Sequence, residues 1–299
     1  MAAVDRLDRR YRILGPLGEG SAGVVYEAEH VETKQPVALK VYHADVLDRV
    51  RGRFWREVEL LRAVRHRRLV RILDWGPFRD SVALAMERLS GPTLGRFMPS
   101  APTEWVLWLL ADAAEGLSVL HDRGVVHRDI KPDNILVRND GPQLEAVLLD
   151  LGIARAMTSE ARLTQPGTSL GTPTYMSPEQ SMTSEASYGS DVWSMGVLMY
   201  QALAGRVPFV GRTPLETVLS ARREPPPPLV DVPEPLAKLV LACLEKDPRN
   251  RPASGGDLFG RLVDVLRAPS VQATLAQLGP ARARAEVPAP TLPDVVGST

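Results

Sequence analysis

The sequence predicts an α+β fold of two lobes: a small antiparallel β-sheet with one key helix, followed by a larger, mainly helical lobe. Short β-type runs fill most of the chain up to residue 90, and one helical pattern interrupts them. Helical patterns dominate after a break at Ser90-Gly91-Pro92. With 299 residues, the chain is long enough for one large domain or two closely packed ones.

The two lobes form one predicted domain over residues 11–267. We call residues 11–89 the N-lobe and residues 90–267 the C-lobe. Residues 1–10 precede the domain as a lead. Residues 268–299 are rich in Ala and Pro and show little periodicity, which predicts a flexible tail.

The N-lobe strands are predicted from β-type runs and period-two alternation. Tyr11–Leu17 and Val24–His30 flank a glycine cluster, and Ser81–Leu89 forms a later strand. Between them, Pro36–Tyr42 alternates most clearly. Its two faces carry Val37, Leu39 and Val41 on one side and Ala38, Lys40 and Tyr42 on the other.

The C-lobe contains a long amphipathic helix, Thr103–Asp122, with Thr103 as its predicted N-cap. Further helices are predicted at Asp191–Ala204, Pro235–Leu244 and Leu258–Leu266. Two short apolar runs on either side of a turn predict a hairpin; they are Ile135–Val137 and Ala146–Leu149.

Composition excludes several kinds of protein. Lys plus Arg and Asp plus Glu both total 36, and zero net charge argues against a protein that coats nucleic acid or an anionic membrane. The single cysteine, Cys243, excludes an internal disulfide framework and a cysteine-based zinc site. No run approaches the roughly 18 apolar residues of a transmembrane helix. Arginine is dense across 49–71, including Arg65-His66-Arg67-Arg68; docking of an acidic partner or RNA is one interpretation, and a solvated surface is favoured.

A glycine motif lies between the first two strands. The stretch from Gly18 to Val25 fits G-x-G-x-x-G-x-V, but dinucleotide folds place such a loop between a strand and a helix, and a P-loop would end in Gly-Lys-Ser/Thr. A plain glycine-rich turn is the alternative. A glycine hairpin can instead present backbone N–H groups to triphosphate oxygens. The candidate phosphate-binding residues are Gly18, Gly20, Ser21 and Gly23.

Lys40, one of only five lysines, lies in the middle of the strand Pro36–Tyr42. A lysine there is costly unless its ammonium meets anions, so phosphate binding is favoured over a solvated edge position. The helical pattern Arg53–Val64 offers Glu57 as a carboxylate partner, because Glu57 lies within the apolar stripe and Glu59 lies about 200° further round. A surface role for Glu57 is the alternative. The stripe consists of Phe54, Val58 and Leu61.

A second motif set begins where the long helix ends. His127-Arg128-Asp129-Ile130-Lys131-Pro132-Asp133-Asn134 follows that helix, and Asp150-Leu151-Gly152 follows the hairpin. Transfer of the γ-phosphoryl group of ATP needs a positioned nucleophile, neutralised phosphates and bound Mg²⁺. Asp129 can accept a hydroxyl proton, Lys131 can reach the γ-phosphate, and Asn134 and Asp150 offer hard oxygen ligands.

These motifs, in this order, resemble the eukaryotic-type (Hanks-type) protein kinase family, bacterial members included, from about Tyr11 to Leu266. The resemblance implies the bilobal kinase fold, ATP and Mg²⁺ as cofactors, a Lys40–Glu57 pair, Asp129 as catalytic base, and Mg²⁺ on Asn134 and Asp150. The adenine pocket that it implies is formed by Val25, Ala38, Met86 as gatekeeper, Glu87, Leu89 and Leu136.

The resemblance also implies structural roles. Glu179, in Ser177-Pro178-Glu179, is expected to pair with Arg251, and Asp191 to brace the family's catalytic loop, which corresponds to His127–Asn134. Leu151 replaces the usual Phe and keeps its apolar character. Bacterial relatives often carry a transmembrane helix, and the sequence shows none, so we expect a cytoplasmic protein that binds neither membrane nor nucleic acid.

We therefore predict a serine/threonine kinase that acts on proteins. Lys131 and the Gly171–Tyr175 stretch favour Ser/Thr acceptors over Tyr. A nucleotide-binding scaffold and a small-molecule phosphotransferase are the alternatives. A second copy of the chain is one predicted partner, in a homodimer whose copies phosphorylate each other. The family's activation segment corresponds to the stretch from Asp150 to Glu179. Within it, Thr168 is the first candidate for regulatory phosphorylation, because its phosphate would gather Arg53, Arg128 and Arg155; a solvated Ser/Thr loop is the alternative. Further candidates are Ser169 and Thr164.

Overall fold

The computed structural model describes residues 6–20, 22–43, 53–141, 143–150, 173–183 and 186–278, apart from the side chains of residues 53–57. Some sequence predictions lie outside this description and stay predictions. They concern the side chains of Arg53 and Glu57, the tail beyond residue 278, residues 171 and 172 of the Gly171–Tyr175 stretch, and the residues Ser21, Leu151, Arg155, Thr164, Thr168 and Ser169.

The N-lobe is built around one antiparallel sheet, which confirms the sequence prediction. Within the described residues its strands lie in the order β1-β2-β3-β5-β4. The strands are β1 Tyr11–Gly20, β2 Gly23–His30, β3 Pro36–Tyr42, β4 Ile72–Phe78 and β5 Ser81–Glu87. The glycine motif therefore joins strand to strand, unlike the turn of a dinucleotide-binding fold.

Strand β4 was not predicted. Asp74, Gly76 and Pro77 interrupt its apolar pattern, and all three residue types are uncommon in strands. The structure tolerates Pro77 because β4 is an edge strand, where one row of backbone N–H groups has no strand partner.

The two faces of the sheet pack into different cores, as the alternation in β3 predicts. Val37 and Leu39 belong to a small core on one face, whereas Tyr42 belongs to the main core that continues into the C-lobe. Helix α1, Leu7–Arg10, buries Leu7 completely in the small core. The predicted lead thus contains a short helix that covers the outer face of the sheet.

The C-lobe is mainly helical, as predicted, and packs around a central helix, α4 (Thr103–His121). This helix contacts α6 (Tyr188–Ala204), α9 (Gly255–Arg267) and β7 (Glu145–Leu148). No described helix is long and apolar enough to span a membrane. After α2, Arg53–Arg62, in the N-lobe, the C-lobe elements are α3 Leu94–Phe97, α4 Thr103–His121, β6 Ile135–Arg138, β7 Glu145–Leu148, α5 Gln180–Thr183, α6 Tyr188–Ala204, α7 Pro214–Arg223, α8 Glu234–Cys243, α9 Gly255–Arg267 and α10 Pro269–Leu275.

Three predictions about the chain need correction. Thr103 is not the N-cap of α4 but its first helical residue. Pro102 is the N-cap, because its backbone is not helical while its carbonyl accepts a hydrogen bond from Val106 N. The tail prediction is wrong for α10, whose Val271 and Leu275 are buried in the main core. These two apolar residues, four apart, follow a proline at the first helical position, which is a helix-start signal.

The third correction concerns the arginine-dense stretch, which was interpreted as solvated. Arg68 is buried, with only 6% of its side chain exposed, and it contacts three carboxylates. The neighbouring Arg67 fits the prediction, with 60% of its side chain exposed. Charge density along the sequence therefore did not distinguish buried from solvated arginines.

The connector between the lobes depends on a close backbone approach at Gly91. Pro92 O accepts a hydrogen bond from Val137 N at 2.8 Å. Gly91 has a φ of 139°, and a Cβ atom there would lie 2.0 Å from Val137 O. Only glycine fits this position without moving the backbone of the hairpin.

We expect Gly91→Ala to lower the free energy of unfolding by about 2–3 kcal/mol, since it adds both an unfavourable φ and a clash. Gly260→Ala is the matched control: Gly260 lies within α9 with nothing within 4 Å of an added Cβ, so alanine should raise stability by about 0.5–1 kcal/mol. Urea unfolding measures both variants. Equal stability of Gly91→Ala and the parent protein would contradict this account.

Candidate active site

Lys40 shares one face of the sheet with several residues predicted to bind nucleotide. Residues directly opposite each other in an antiparallel pair share a face. Lys40 lies between Val25 of β2 and Leu84 of β5, and Ala38 lies opposite Met86. The register therefore brings Val25, Ala38, Lys40 and Met86 together on the face that continues into the main core.

Of the other predicted pocket residues, Glu87 and Leu89 lie at the connector and Leu136 lies on β6. Glu87 ends β5, and its side-chain Oε1 accepts a hydrogen bond from Arg71 N at 2.8 Å. Leu89 packs against the main core, and Leu136 is buried on β6 opposite Thr93. The connector backbone is partly engaged as well, since Glu87 N donates to Arg71 O at 3.0 Å and Leu89 O accepts a hydrogen bond from Arg88 Nη1.

Lys40 is held by a carboxylate from the C-lobe side of the site. Its Nζ lies 2.5 Å from Asp150 Oδ1, and its side chain is only 6% exposed. A buried ammonium needs such a partner, because burial without one is strongly unfavourable. Asp150 follows β7, so this ion pair joins the sheet of the N-lobe to the hairpin of the C-lobe.

Asp129 is fixed by two neighbours in its own loop. Lys131 Nζ lies 2.9 Å from Asp129 Oδ2, and Asn134 Nδ2 donates to the backbone carbonyl of Asp129 at 2.7 Å and to Oδ2 at 2.9 Å. A short 3₁₀ turn, Pro132–Asn134, brings Asn134 back to Asp129. Both of these hydrogen bonds use the amide nitrogen of Asn134 rather than its amide oxygen.

The buried carboxylate of Asp191 holds the backbone of the catalytic loop through hydrogen bonds. It accepts hydrogen bonds from His127 N at 2.7 Å and Arg128 N at 2.8 Å. His121 Nε2 lies 3.0 Å from the same carboxylate, while His121 Nδ1 accepts from Gly255 N at 2.9 Å. The proton of His121 must then be on Nε2, which makes the imidazole a third donor to Asp191.

Two loop residues adopt backbone conformations that are unusual outside glycine. Arg128 has a φ of 67° and Asp150 a φ of 47°. Each conformation costs about 1–3 kcal/mol and persists only where the surroundings hold it. The hydrogen bond from Arg128 N to Asp191 and the ion pair of Asp150 with Lys40 provide that restraint.

His127 is a site residue to which sequence reasoning gave no role. Its Nε2 lies 3.0 Å from the carbonyl of Leu149, and Leu149 N donates to Asn134 O at 2.8 Å. The catalytic loop and the segment that carries Asp150 are thus tied together on both sides of Leu149. The only available signal was the position of His127 next to Arg128 and Asp129.

The glycine motif divides into two parts. A Cβ at Gly18 would meet nothing within 4 Å, and one at Gly20 would meet only Gly23 O at 3.9 Å. A Cβ at Gly23, in contrast, would lie 2.2 Å from Val41 O. Gly23 is therefore needed for the approach of β2 to β3. Packing among the described residues does not require Gly18 or Gly20, which suits a loop that approaches a ligand.

The donor set fits a nucleotide with Mg²⁺. Asn134 and Asp150 supply oxygen atoms, the ligands that Mg²⁺ prefers, and Lys40 supplies a buried cation for phosphate. Within the described ranges, no cluster of three or more His, Cys, Asp and Glu side chains could hold a metal alone. A site with two protein ligands matches the way Mg²⁺ is usually shared between carboxylates and substrate phosphates.

The predicted ion pair of Glu179 and Arg251 is present, with the Arg251 side chain fully buried and that of Glu179 partly buried. Arg251 Nη1 and Nη2 lie 2.7 and 2.9 Å from the two carboxylate oxygens of Glu179, and Nη1 also donates to Gly189 O. The Arg251 guanidinium lies 4.9 Å from the centre of the Trp193 ring. Burial would raise the pKa of Glu179, but hydrogen bonds from Arg251 and Ser190 outweigh it and lower that pKa below its usual value.

Comparison with known proteins agrees with this geometry. Residues 11–258 match the family described as the protein kinase domain. The chain belongs to this family, which confirms the resemblance drawn from its motifs.

Its relatives include bacterial serine/threonine kinases. The chain is 40% identical to the serine/threonine-protein kinase pkn2 of Myxococcus xanthus over 86% of its own length and 32% of that protein. It is 35% identical to PkaA of Streptomyces coelicolor over 91% of the chain and 53% of PkaA. Identity to PknB of Mycobacterium leprae is 31%, over 89% of the chain and 44% of PknB. The chain thus spans between about a third and a half of these relatives.

We expect Arg251→Ala to lower the free energy of unfolding by about 3–5 kcal/mol, because it leaves the partly buried Glu179 carboxylate without its cation. The matched control is Arg249→Ala, whose side chain is 87% exposed and pairs only with Asp247 among the described residues; its effect should stay within about 0.5 kcal/mol. Thermal and urea unfolding report both.

The ion pair of Glu179 and Arg251 also predicts that the stability of the protein depends on pH. Because the pKa of Glu179 is lowered in the folded protein, its stabilising contribution is present above its usual pKa and is lost as the pH falls through the folded pKa. Arg251→Ala should lack this acid-induced loss. The same loss of stability in both proteins as the pH falls below about 4.5, the usual pKa of a Glu carboxyl, would show that Glu179 is not its source.

Proposed function

We propose that this chain is a serine/threonine protein kinase, which transfers the γ-phosphoryl group of ATP to Ser and Thr hydroxyls of proteins. The observation that carries this proposal is the ion pair of Lys40 with Asp150 beside the fixed group of Asp129, Lys131 and Asn134. The kinase family and the printed names of the relatives support it.

In the proposed reaction, the oxygen of the acceptor hydroxyl attacks the γ-phosphorus. The bond from that phosphorus to the β–γ bridging oxygen breaks, and ADP leaves. Asp129 orients the hydroxyl and accepts its proton, while Lys131 neutralises charge on the transferred group. Lys40 binds the remaining phosphates. Asn134 and Asp150 would hold Mg²⁺, which neutralises phosphate oxygens when bound.

We expect Asp129→Asn to lower the rate of phosphoryl transfer by about 10²–10⁴-fold, since the variant keeps the shape of the side chain but cannot take the proton. ATP affinity, measured by calorimetry, should stay within about threefold, because Asp129 has no proposed role in ATP binding. Asp122→Asn, an exposed carboxylate at the end of α4, is the matched control and should keep full activity. Equal transfer by Asp129→Asn and the parent protein would overturn the mechanism.

The same assay separates the alternatives. Radiolabelled ATP is offered with a generic protein acceptor, an aminoglycoside and choline. The protein kinase predicts label on phosphoserine and phosphothreonine only. Label on a small acceptor identifies a small-molecule phosphotransferase, and ATP binding without transfer identifies a scaffold.

We propose further that phosphorylation of Thr168 controls the activity, with one copy of the chain acting on another. Arg128 Nε is buried and has no hydrogen-bond partner among the described residues, and a phosphate would supply an acceptor for it. The hydrogen bond from Arg128 N to Asp191 connects such a phosphate to the catalytic loop.

Thr168→Ala should lower the rate of protein phosphorylation by about tenfold, a barrier increase of about 1.4 kcal/mol, because Arg128 loses its proposed phosphate partner. Thr158→Ala, in the same segment, is the control and should have little effect. Mass spectrometry locates the phosphates, and a rate of autophosphorylation that rises with the square of protein concentration shows transfer between copies. Full activity of Thr168→Ala with the other sites intact would exclude this switch.

A further inference from the structure

We propose that Arg68 is a positioning residue: it fixes strand β7 against helix α4 and so sets the position of Asp150. The inference rests on the proposed function, because it concerns the carboxylate that we assign to Mg²⁺. Arg68 is a buried arginine that lies outside the sequence motifs described above.

The Arg68 guanidinium is surrounded by three carboxylates. Nη2 lies 2.5 Å from Asp112 Oδ1, Nε lies 2.9 Å from Glu115 Oε2, and Nη1 lies 3.2 Å from Glu145 Oε1. Asp112 and Glu115 are one turn apart on α4, whereas Glu145 is the first residue of β7. One buried cation thus connects the central helix of the C-lobe to the start of β7.

The backbone around Arg68 holds the other end of the same strand. Arg68 O accepts a hydrogen bond from Leu148 N at 2.8 Å, and Val70 N donates to Leu148 O at 3.0 Å. A Cβ at Gly116 of α4 would lie 3.0 Å from Arg68 O, so the loop lies directly on the helix. Asp112 Oδ2 adds a contact from the helix to Ala146 N at 3.1 Å.

Movement of β7 would be transmitted to the site within two residues. Leu148 ends the strand, Leu149 N donates to Asn134 O, and Asp150 pairs with Lys40. Both proposed Mg²⁺ ligands are therefore attached to the end of β7 that Arg68 holds. Residues that orient metal ligands in this way typically change metal affinity when they are replaced.

A merely structural role would predict a different result. Removal of a buried cation destabilises the whole fold, and it would then lower the amount of active protein without changing Mg²⁺ dependence or one group of amides selectively. The positioning role predicts a local effect at Leu148 and Leu149 and a change in Mg²⁺ dependence.

The test compares Arg68→Gln and Arg68→Lys with Arg67→Gln. Arg67 is the matched control, because it is largely exposed and reaches only Glu145, at 3.4 Å, among the described residues. Amide hydrogen exchange of the full chain without added nucleotide reports protection at Leu148 and Leu149, with the buried amides of α6 as an internal reference. Calorimetry then measures ATP binding over a range of Mg²⁺ concentrations.

Arg68→Gln should lower protection at Leu148 and Leu149 by about tenfold with the α6 amides unchanged, and raise the Mg²⁺ concentration for half-maximal ATP binding by about tenfold. Arg68→Lys should fall between, and Arg67→Gln should match the parent protein. Unchanged local protection and Mg²⁺ dependence in Arg68→Gln, or a uniform loss of protection, overturns the proposal.

If Arg68→Gln does not fold, Glu115→Gln removes one partner of Arg68 and decides by the same two measurements. The outcome is separate from that of the proposed function. If the parent protein binds ATP with Mg²⁺ but transfers no phosphoryl group, the kinase proposal is wrong. The comparison of the Arg68 variants with the parent protein can still be made. If ATP does not bind, hydrogen exchange alone decides.

Discussion

The catalytic loop depends on one buried carboxylate. Asp191 is 1% exposed, and a charge at such a depth requires several hydrogen-bond donors. Two of its donors are consecutive backbone N–H groups, of His127 and Arg128, so satisfying the charge fixes the backbone just before Asp129. The unusual φ of Arg128 is a consequence, because few other conformations would point both N–H groups at one carboxylate. The third donor, His121, links the same carboxylate to α4 and α9.

The same constraint recurs at three other places where elements distant in the sequence meet. Lys40 pairs with Asp150 between the lobes, Arg251 with Glu179 at the start of α5, and Arg68 with three carboxylates beside β7. Buried ion pairs add little net stability compared with apolar packing, but removal of one partner is expensive. We interpret them as restraints that select one arrangement of loops, while apolar packing around α4 supplies most of the stability.

Local patterns made much of the fold and site predictable. The alternation in β3 assigned Lys40 to a face because period two does not depend on distant residues, and Asp129, Asn134 and Asp150 lie in short motifs. Strand β4 was not predicted, because Gly76 and Pro77 interrupt the alternation of apolar and polar residues. Arg68 was interpreted wrongly for a more general reason: its partners lie more than forty residues away, and only the fold shows which arginine they surround. The predictions for Glu57 and Thr168 lie outside the described residues and stay predictions.

The pair of Lys40 and Asp150 also bears on how the proposed substrate would enter. Each group is already close to a neutralising partner, so the site does not hold an isolated buried charge that would need a large rearrangement. ATP with Mg²⁺ offers a replacement for both: phosphate oxygens for the ammonium and a cation for the carboxylate. The exchange keeps each charge compensated, and the restraints on Asp129 and Asn134 are untouched by it. Preorganisation of this kind reduces the reorganisation that transfer requires, and it follows from the same rule of compensated burial that shapes the loop around Asp191.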